Sequence, residues 1–428
     1  MTFKEAFEWL SGFQFHGIKP GLERITTLLS RLGHPEKSFQ AVHIAGTNGK
    51  GSTAAILESL LRQHGVKTGL YTSPHLVSVC ERFVVDGKPI SEERFAALCA
   101  RVRKALGELP ATYFELTTAL ALLYFAEEGV ELAVVECGLG GRLDATNVLA
   151  PEVAVITNIG LDHQAYLGET IPQIAAEKAG IIKERRPVVV GPVSPEALEV
   201  IANRAQSLSA PLFRFDKDFR IIPSQSGFLY QGKRQLSGLE LSLRGRFQPI
   251  NMALALKAFE LLEEKGFPFQ EEAVRQALRH VVWPGRYETF KLPCLVILDG
   301  AHNLDGIKAL LETLHEEGIK RYHLLFAASD EGGTKPYLEM LKALLPKAER
   351  VFLCEPPGPR KPVTIKEWQE HLERAKKGGI LSHDTSFVFK NSWEEALEEA
   401  LKGSNLPLLV TGSLYLVGRV RAVLRQRK

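Results

Sequence analysis

AVHIAGTNGKGSTAAILESLL, residues 41–61, joins a short apolar run to a helical pattern through three glycines and a lysine. That order predicts a strand, a phosphate-binding loop and a helix whose unpaired N-terminal amides and positive dipole end attract an anion. The loop departs from the usual G-x-x-x-x-G-K-[ST] form in two places. Ile44 stands where the leading glycine belongs, and Gly51, which has no hydroxyl for magnesium, follows Lys50. Ser52 and Thr53 point elsewhere on a helix, so a magnesium ligand is expected from another loop.

The rest of the chain repeats this rhythm. LAVVECG, EVAVITNIG and RPVVVG read as buried strands, each leading through a turn into an amphipathic stretch, which is the signature of α/β architecture with a parallel sheet. Residues from about Phe219 to Leu243 alternate in short runs joined by Gly and Ser and predict a small antiparallel patch. The pattern breaks at VVWPGRYETF. With 428 residues, beyond the roughly 250–300 at which one core stops growing, two domains are expected, 1–283 and 284–428. The first reads as a P-loop-type, mostly parallel sheet domain and the second as a smaller Rossmann-like α/β domain. KPVTIKEWQEHLERAKKGG, residues 361–379, reads as an exposed charged helix.

A formal net charge of +3 with intermixed acids and bases gives no nucleic-acid or membrane footprint. Five dispersed cysteines without a C-x-x-C pair, an N-terminus without a basic start and apolar run, and no apolar stretch of about 18 residues predict a cytoplasmic protein. A monomer is the simplest expectation.

Further candidates fall where strands end, the side of open α/β sheets on which ligands bind. Ser73, in YTSPHL, is a candidate for the missing hydroxyl ligand. Glu136 ends a buried strand among apolar residues, where an unpaired carboxylate is costly and a metal would resolve the cost. Asp162 and His163 follow the next strand. Lys178 lies between apolar positions and should be paired, neutral or modified; reaction with CO₂ would make it a carbamate able to ligate magnesium. In the second domain Asp299 and His302, in DGAHN, end another strand facing an expected interdomain cleft, and Arg286 stands in the linker WPGR.

In order, GTNGKGS, YTSPHL with Glu81 and Arg82 behind it, YFELTTA, ECGLGGRLDATN, LDHQAYLG, EKAGIIK, WPGR, DGAHN and VTGSLYLVG resemble the folylpolyglutamate synthase and dihydrofolate synthase family, from about residue 19 to residue 418. GTNGK is shared with the wider Mur ligase group, whereas SPHL, GGRLDATN and DGAHN in this order point to the folate branch. The resemblance implies an ATP- and Mg²⁺-dependent ligase that joins L-glutamate to a folate or to dihydropteroate through an acyl phosphate. It implies that Gly46, Thr47, Asn48, Gly49, Lys50, Gly51 and Ser52 bind ATP phosphates, with Asn251, Arg286 and Asp299 at the nucleotide and His302 beside them. It further implies metal ligation by Ser73, Glu136, His163 and carbamylated Lys178, with Lys50, His163, Lys178, Asp299 and His302 serving catalysis. Arg82, Thr112, Phe114, Asp144 and Ala145 would form the folate pocket. Phe247 departs from the pattern, since the family commonly shows H-Q-x-x-N where this chain has F-Q-P-I-N, residues 247–251.

Two other readings are a Mur-type amino-acid ligase of cell-wall synthesis and a nucleotide-binding module that has lost its ligase site. The first needs a further N-terminal domain of at least ~50 residues, for which the loop at Gly46 leaves no room. The joint presence of Ser73, Glu136, His163, Lys178, Arg286 and Asp299 argues against the second.

Overall fold

The computed structural model describes residues 1–14, 19–292, 294–329, 336–358, 360–377, 386–402 and 405–427. Internal packing divides the chain into two compact units, Met1–Ser242 with Phe247–Val282, and Leu243–Arg246 with Trp283–Lys428. Among the described residues no helix is long and apolar enough to cross a membrane.

In the first unit, β1 (Gln40–Ala45), β2 (Thr68–Tyr71), β3 (Phe83–Val85), β4 (Lys88–Pro89), β5 (Leu132–Glu136), β6 (Val153–Ile156), β7 (Val188–Val190) and β8 (Leu212–Arg214) build one sheet. Its order is β4-β3-β2-β5-β1-β6-β7-β8. The β2–β3 and β3–β4 pairs are antiparallel and every other pair is parallel. β5, β6 and β7 are buried along their whole length, which is why their sequences are apolar without alternation. This order sets the carboxyl ends of β2, β5, β1 and β6 side by side, and with them the four loops expected to carry chemistry.

The helix Lys50–Gln63, buried from Gly51 to Leu61, packs against the helices Gln248–Glu263 and Glu271–His280. On the other side of the unit, two N-terminal helices, Phe3–Ser11 and Glu23–Arg31, join the helices Glu92–Leu106 and Tyr113–Glu127 in a core that includes Leu10, Leu28, Phe83, Phe95, Leu116 and Phe125.

The antiparallel segment forms a sheet of its own, with β9 (Arg220–Ser224), β10 (Gly227–Gln231) and β11 (Gln235–Leu239) in the order β11-β10-β9. Buried Tyr230 donates to Glu260 Oε2 at 3.0 Å, and the same carboxylate accepts the N–H groups of Lys233 and Arg234 at 3.1 and 2.9 Å. One side chain of the helix Gln248–Glu263 thus fastens both a strand and its turn.

The second unit contains β12 (Glu288–Lys291), β13 (Leu295–Leu298), β14 (Tyr322–Phe326), β15 (Ala348–Cys354), β16 (Ser386–Lys390) and β17 (Leu408–Thr411) in the order β12-β13-β17-β14-β15-β16. Only β12 runs antiparallel among these described strands, so the sheet is mixed. The charged run beyond Lys361 forms the helix Ile365–Lys377, and here the expectation of an exposed helix needs correction. Trp368 is fully buried against Phe326 and Tyr337, with Leu372 and Ala375 on the same face. Abundant surface charge conceals an apolar stripe at helical spacing.

Candidate active site

The loop after β1 is held by the two residues that follow β6. Thr47 N donates to Asn158 O and Oδ1, both at 3.1 Å, and Asn48 N reaches Asn158 Oδ1 at 2.8 Å. Thr157 Oγ1 donates to Asn48 O at 2.6 Å, and a Cβ on Gly46 would overlap that hydroxyl. Gly49 caps the helix Lys50–Gln63 at φ 83°, in the left-handed region that favours glycine, and a Cβ there would lie 2.5 Å from Asn251 Oδ1. Asn251 therefore adjoins the loop; it also donates to Gln248 Oε1 at 3.1 Å, and Gln248 donates to Ser52 Oγ at 3.2 Å.

Two ammonium groups meet at one carbonyl. Lys50 Nζ donates to Gly46 O at 3.1 Å and Lys178 Nζ to the same oxygen at 3.0 Å. Lys178 is 4% exposed, and burial, reinforced by the charge on Lys50, pulls its pKa down to about 7. Glu136, 5% exposed, lies 4.0 Å from Lys50 Nζ and accepts the backbone N–H of Ser73 at 3.0 Å. Lys50, Ser73, Glu136, Lys178 and Asn251 are thus gathered around the loop. His163 caps the short helix Gln164–Leu167 at φ 50° beside Asp162, whose Oδ2 is 4.0 Å from its Nε2. Among the described residues no three His, Cys, Asp or Glu side chains form a metal cage.

That donor set still suits magnesium, which keeps several waters and takes one or two carboxylates together with substrate phosphates. Buried Glu136, at the end of β5 beside the loop, supplies one such carboxylate.

Beyond Ser73, the carboxylate of Glu81 fixes the SPHL loop by accepting the N–H groups of Leu76, Val77 and Ser78 at 2.8, 3.2 and 3.2 Å. Arg82, buried, donates to His75 Nδ1 at 2.9 Å and lies 5.4 Å over the Tyr113 ring. Phe114 stacks on Tyr71 at 6.0 Å, and a Cβ on Gly138 would run into the Phe114 ring. Thr112 caps the helix Tyr113–Glu127, and its hydroxyl also donates to Glu115 Oε2 at 2.8 Å; Arg24 pairs with Glu115 at 3.0 Å. Asp144, buried, caps the turn Ala145–Val148 and accepts from Leu139 N at 2.8 Å and Thr146 N at 3.0 Å. Burial raises its pKa against the lowering effect of these donors.

In the second unit Asp299, Arg286 and His302 come together. Asp299 accepts Tyr287 N and Ala301 N, both at 2.9 Å, and its pKa is raised because burial outweighs the charge of Arg286. Gly285 O accepts from Gly300 N at 2.8 Å and from Arg286 at 3.1 Å, joining WPGR to DGAHN. His302 Nδ1 is 2.8 Å from Gly300 O; a carbonyl only accepts, so Nδ1 carries a proton.

Residues 44–259 match the Mur ligase middle domain and residues 285–414 the Mur ligase glutamate ligase domain. The chain is 38% identical to the dihydrofolate synthase/folylpolyglutamate synthase of Bacillus subtilis, over 99% of each protein. The chain belongs to the folylpolyglutamate synthase/dihydrofolate synthase family. Among solved structures it is similar to the folylpolyglutamate synthase of Thermotoga maritima, at 36% identity and a TM-score of 0.84 over 100% of this chain and 97% of that one. It is likewise similar to E. coli FolC in complex with DHPP and ADP, at 31% identity and a TM-score of 0.87 over 99% and 98% of the two chains.

For a folylpolyglutamate synthase family member, several supporting residues escape a reading of the sequence. Asn158 and Thr157 follow β6 directly, so their strand-end position was a usable signal. Glu81 carries a weaker one, three residues after Ser78 in a capping box. Gln248 is visible only as the glutamine of the H-Q-x-x-N pattern, and its partner Ser52, 196 residues away, is not.

Proposed function

We propose that this chain is an ATP-dependent ligase that adds L-glutamate to folates, and also to dihydropteroate, through an acyl phosphate. The observation that carries the reading is the convergence of Lys50, Lys178 and Glu136 at the Gly46 loop in a chain of this family. A carboxylate resists amines in water because it repels nucleophiles and oxide is a poor leaving group. Moving the γ-phosphoryl of ATP onto the acceptor carboxylate releases ADP and leaves a phosphate that departs readily. The amine of glutamate then attacks the acyl carbon, and an amide and phosphate result.

In this reading the loop 46–52 holds the phosphates at the head of its helix, with the Thr47 and Asn48 amides engaged by Asn158 to shape it, and Lys50 draws charge from the transferring group, where positioning and electrostatics supply most of the rate. Ser73, Glu136, His163 and carbamylated Lys178 would hold Mg²⁺, which would supply neutralisation of the phosphate charge. Asn251, Arg286 and Asp299 orient the nucleotide, with His302 beside them. Arg82, Thr112, Phe114, Asp144 and Ala145 line the folate pocket. Thr112 would act there through its Cγ methyl, since its hydroxyl and its backbone N–H are both engaged by Glu115. The unpaired, buried cysteines support a cytoplasmic setting, and we take the acting form to be a monomer.

The test is phosphate release with ATP, magnesium and L-glutamate, comparing dihydropteroate with tetrahydrofolate as acceptor. Release that depends on both acceptor and glutamate is expected. Release with neither acceptor present, or none with either, sinks the reading.

A further inference from the structure

His43 lies on β1, fully buried, three residues before the loop that begins at Gly46, and nothing in the proposed chemistry uses it. Its Nε2 is 2.7 Å from Thr146 Oγ1 and 3.0 Å from Cys137 Sγ. Its Nδ1 is buried with no hydrogen-bond partner among the described residues. A proton on Nδ1 would therefore be an unsatisfied buried donor, whereas on Nε2 it has the Thr146 oxygen to receive it. We assign it to Nε2 on that ground.

The direction of the next bond follows. Thr146 Oγ1 is bonded to Asp144 Oδ1, and an ionised carboxylate only accepts, so the Thr146 hydroxyl gives its proton to Asp144 and receives one from His43. The result is a one-way chain from the core of the sheet to the Gly138–Ala145 turn, His43 to Thr146 to Asp144. Leu139 N closes it from the other carboxylate oxygen at 2.8 Å. Burial holds the imidazole neutral, with a pKa near 3, so the chain does not reverse at working pH.

We propose that His43 is a positioning residue for the acceptor pocket: acting through Thr146, it fixes the rotamer of Asp144 and with it the turn that presents Asp144 and Ala145 to the folate. The inference rests on the reading of those two residues as pocket residues.

The test separates the two side-chain nitrogens. Glutamine places an amide nitrogen near the Nε2 position, whereas asparagine places it near Nδ1 and leaves Thr146 without a donor. His43→Gln is expected to keep the KM for tetrahydrofolate or dihydropteroate within about twofold, while His43→Asn and Thr146→Val raise it about tenfold, the fold-change for one lost buried hydrogen bond. The KM for ATP and kcat should stay within about threefold in all three, and Thr146→Ser, which keeps the hydroxyl, should recover most of the effect. Thr146→Val is close in shape to the native residue and supplies the answer if substitution in β1 prevents folding. Equal behaviour of the Gln and Asn variants, or a loss seen in kcat and ATP binding instead of acceptor KM, overturns the inference. Asp144→Asn, measured alongside, tests the pocket reading itself. An unchanged acceptor KM there removes the pocket reading and the inference with it, whereas a raised one with no effect of Thr146→Val removes the inference alone.

Discussion

Arg421 grips the carboxylate of Glu288 through Nε, at 3.0 Å to Oε1 and 2.7 Å to Oε2, and Glu288 Oε2 accepts the N–H of Gly285 at 2.9 Å. The C-terminal helix Leu414–Gln426 thereby secures the turn that carries Arg286. Arg421→Met leaves Glu288 without its cation. We expect a loss of about 2 kcal/mol, below the ~3–5 of a fully buried pair because Glu288 keeps part of its surface in water. Denaturant titration checks this, and Glu288→Gln in the Arg421→Met background should restore part of the loss.

Lys178 is expected to be indispensable as a carbamate. Lys178→Ala should lower kcat by about 10²- to 10³-fold, the range for removing one group that stabilises the transition state, and short carboxylates such as acetate should restore part of the rate. Full activity of the variant without added carboxylate would exclude the role.

Two glycines should separate the two substrates. A Cβ on Gly49 meets Asn251 and must also adopt φ 83°, so Gly49→Ala should raise the KM for ATP and cost about 1–3 kcal/mol of stability. A Cβ on Gly138 meets the Phe114 ring, so Gly138→Ala should raise the acceptor KM and leave that for ATP nearly unchanged. Initial-rate kinetics with each substrate varied distinguishes them; the same pattern from both would contradict the assignment of the two regions.

Acid should expose the buried imidazole. His43 titrates near pH 3 in the folded chain because burial disfavours its charge, against an ordinary 6.5. Between those values the unfolded chain takes up the proton first, so stability falls as pH drops, at up to about 1.4 kcal/mol per unit. No penalty is present above about pH 6.5, and it levels off near pH 3. Between pH 6.5 and 5 the native chain should lose about 2 kcal/mol more than His43→Gln, by denaturant titration at each pH.

Which parts of this were legible in the sequence depended on how far each relationship reaches along the chain. The strand, loop and helix of residues 41–61 are local, and so is the placement of Glu136 and Asp299 at strand ends. The gathering of Asn251, Gln248 and Ser52 depends on two helices nearly 200 residues apart packing together, and no pattern within either one announces it. Trp368 was obscured by composition, since nine of the thirteen residues of its helix's sequence, IKEWQEHLERAKK, are polar or charged. Thr112 was visible as a motif residue, but its role as a helix cap rests on the spacing T-x-x-E, which was equally open to inspection.

The register of β5 against β1 pairs Glu136 with Ile44 at the head of the loop. Because all five residues of LAVVE are buried, neither face of the strand has a polar side to penalise misalignment, and the apolar content alone pins the register weakly. A one-residue deletion within that strand would keep nearly all of its hydrophobic surface while withdrawing the carboxylate by about 3.3 Å and turning it to the opposite face. Substitutions in the surrounding loops should therefore be graded in their effects, whereas insertions and deletions in this strand should be all-or-none: a well-folded sheet with no catalysis.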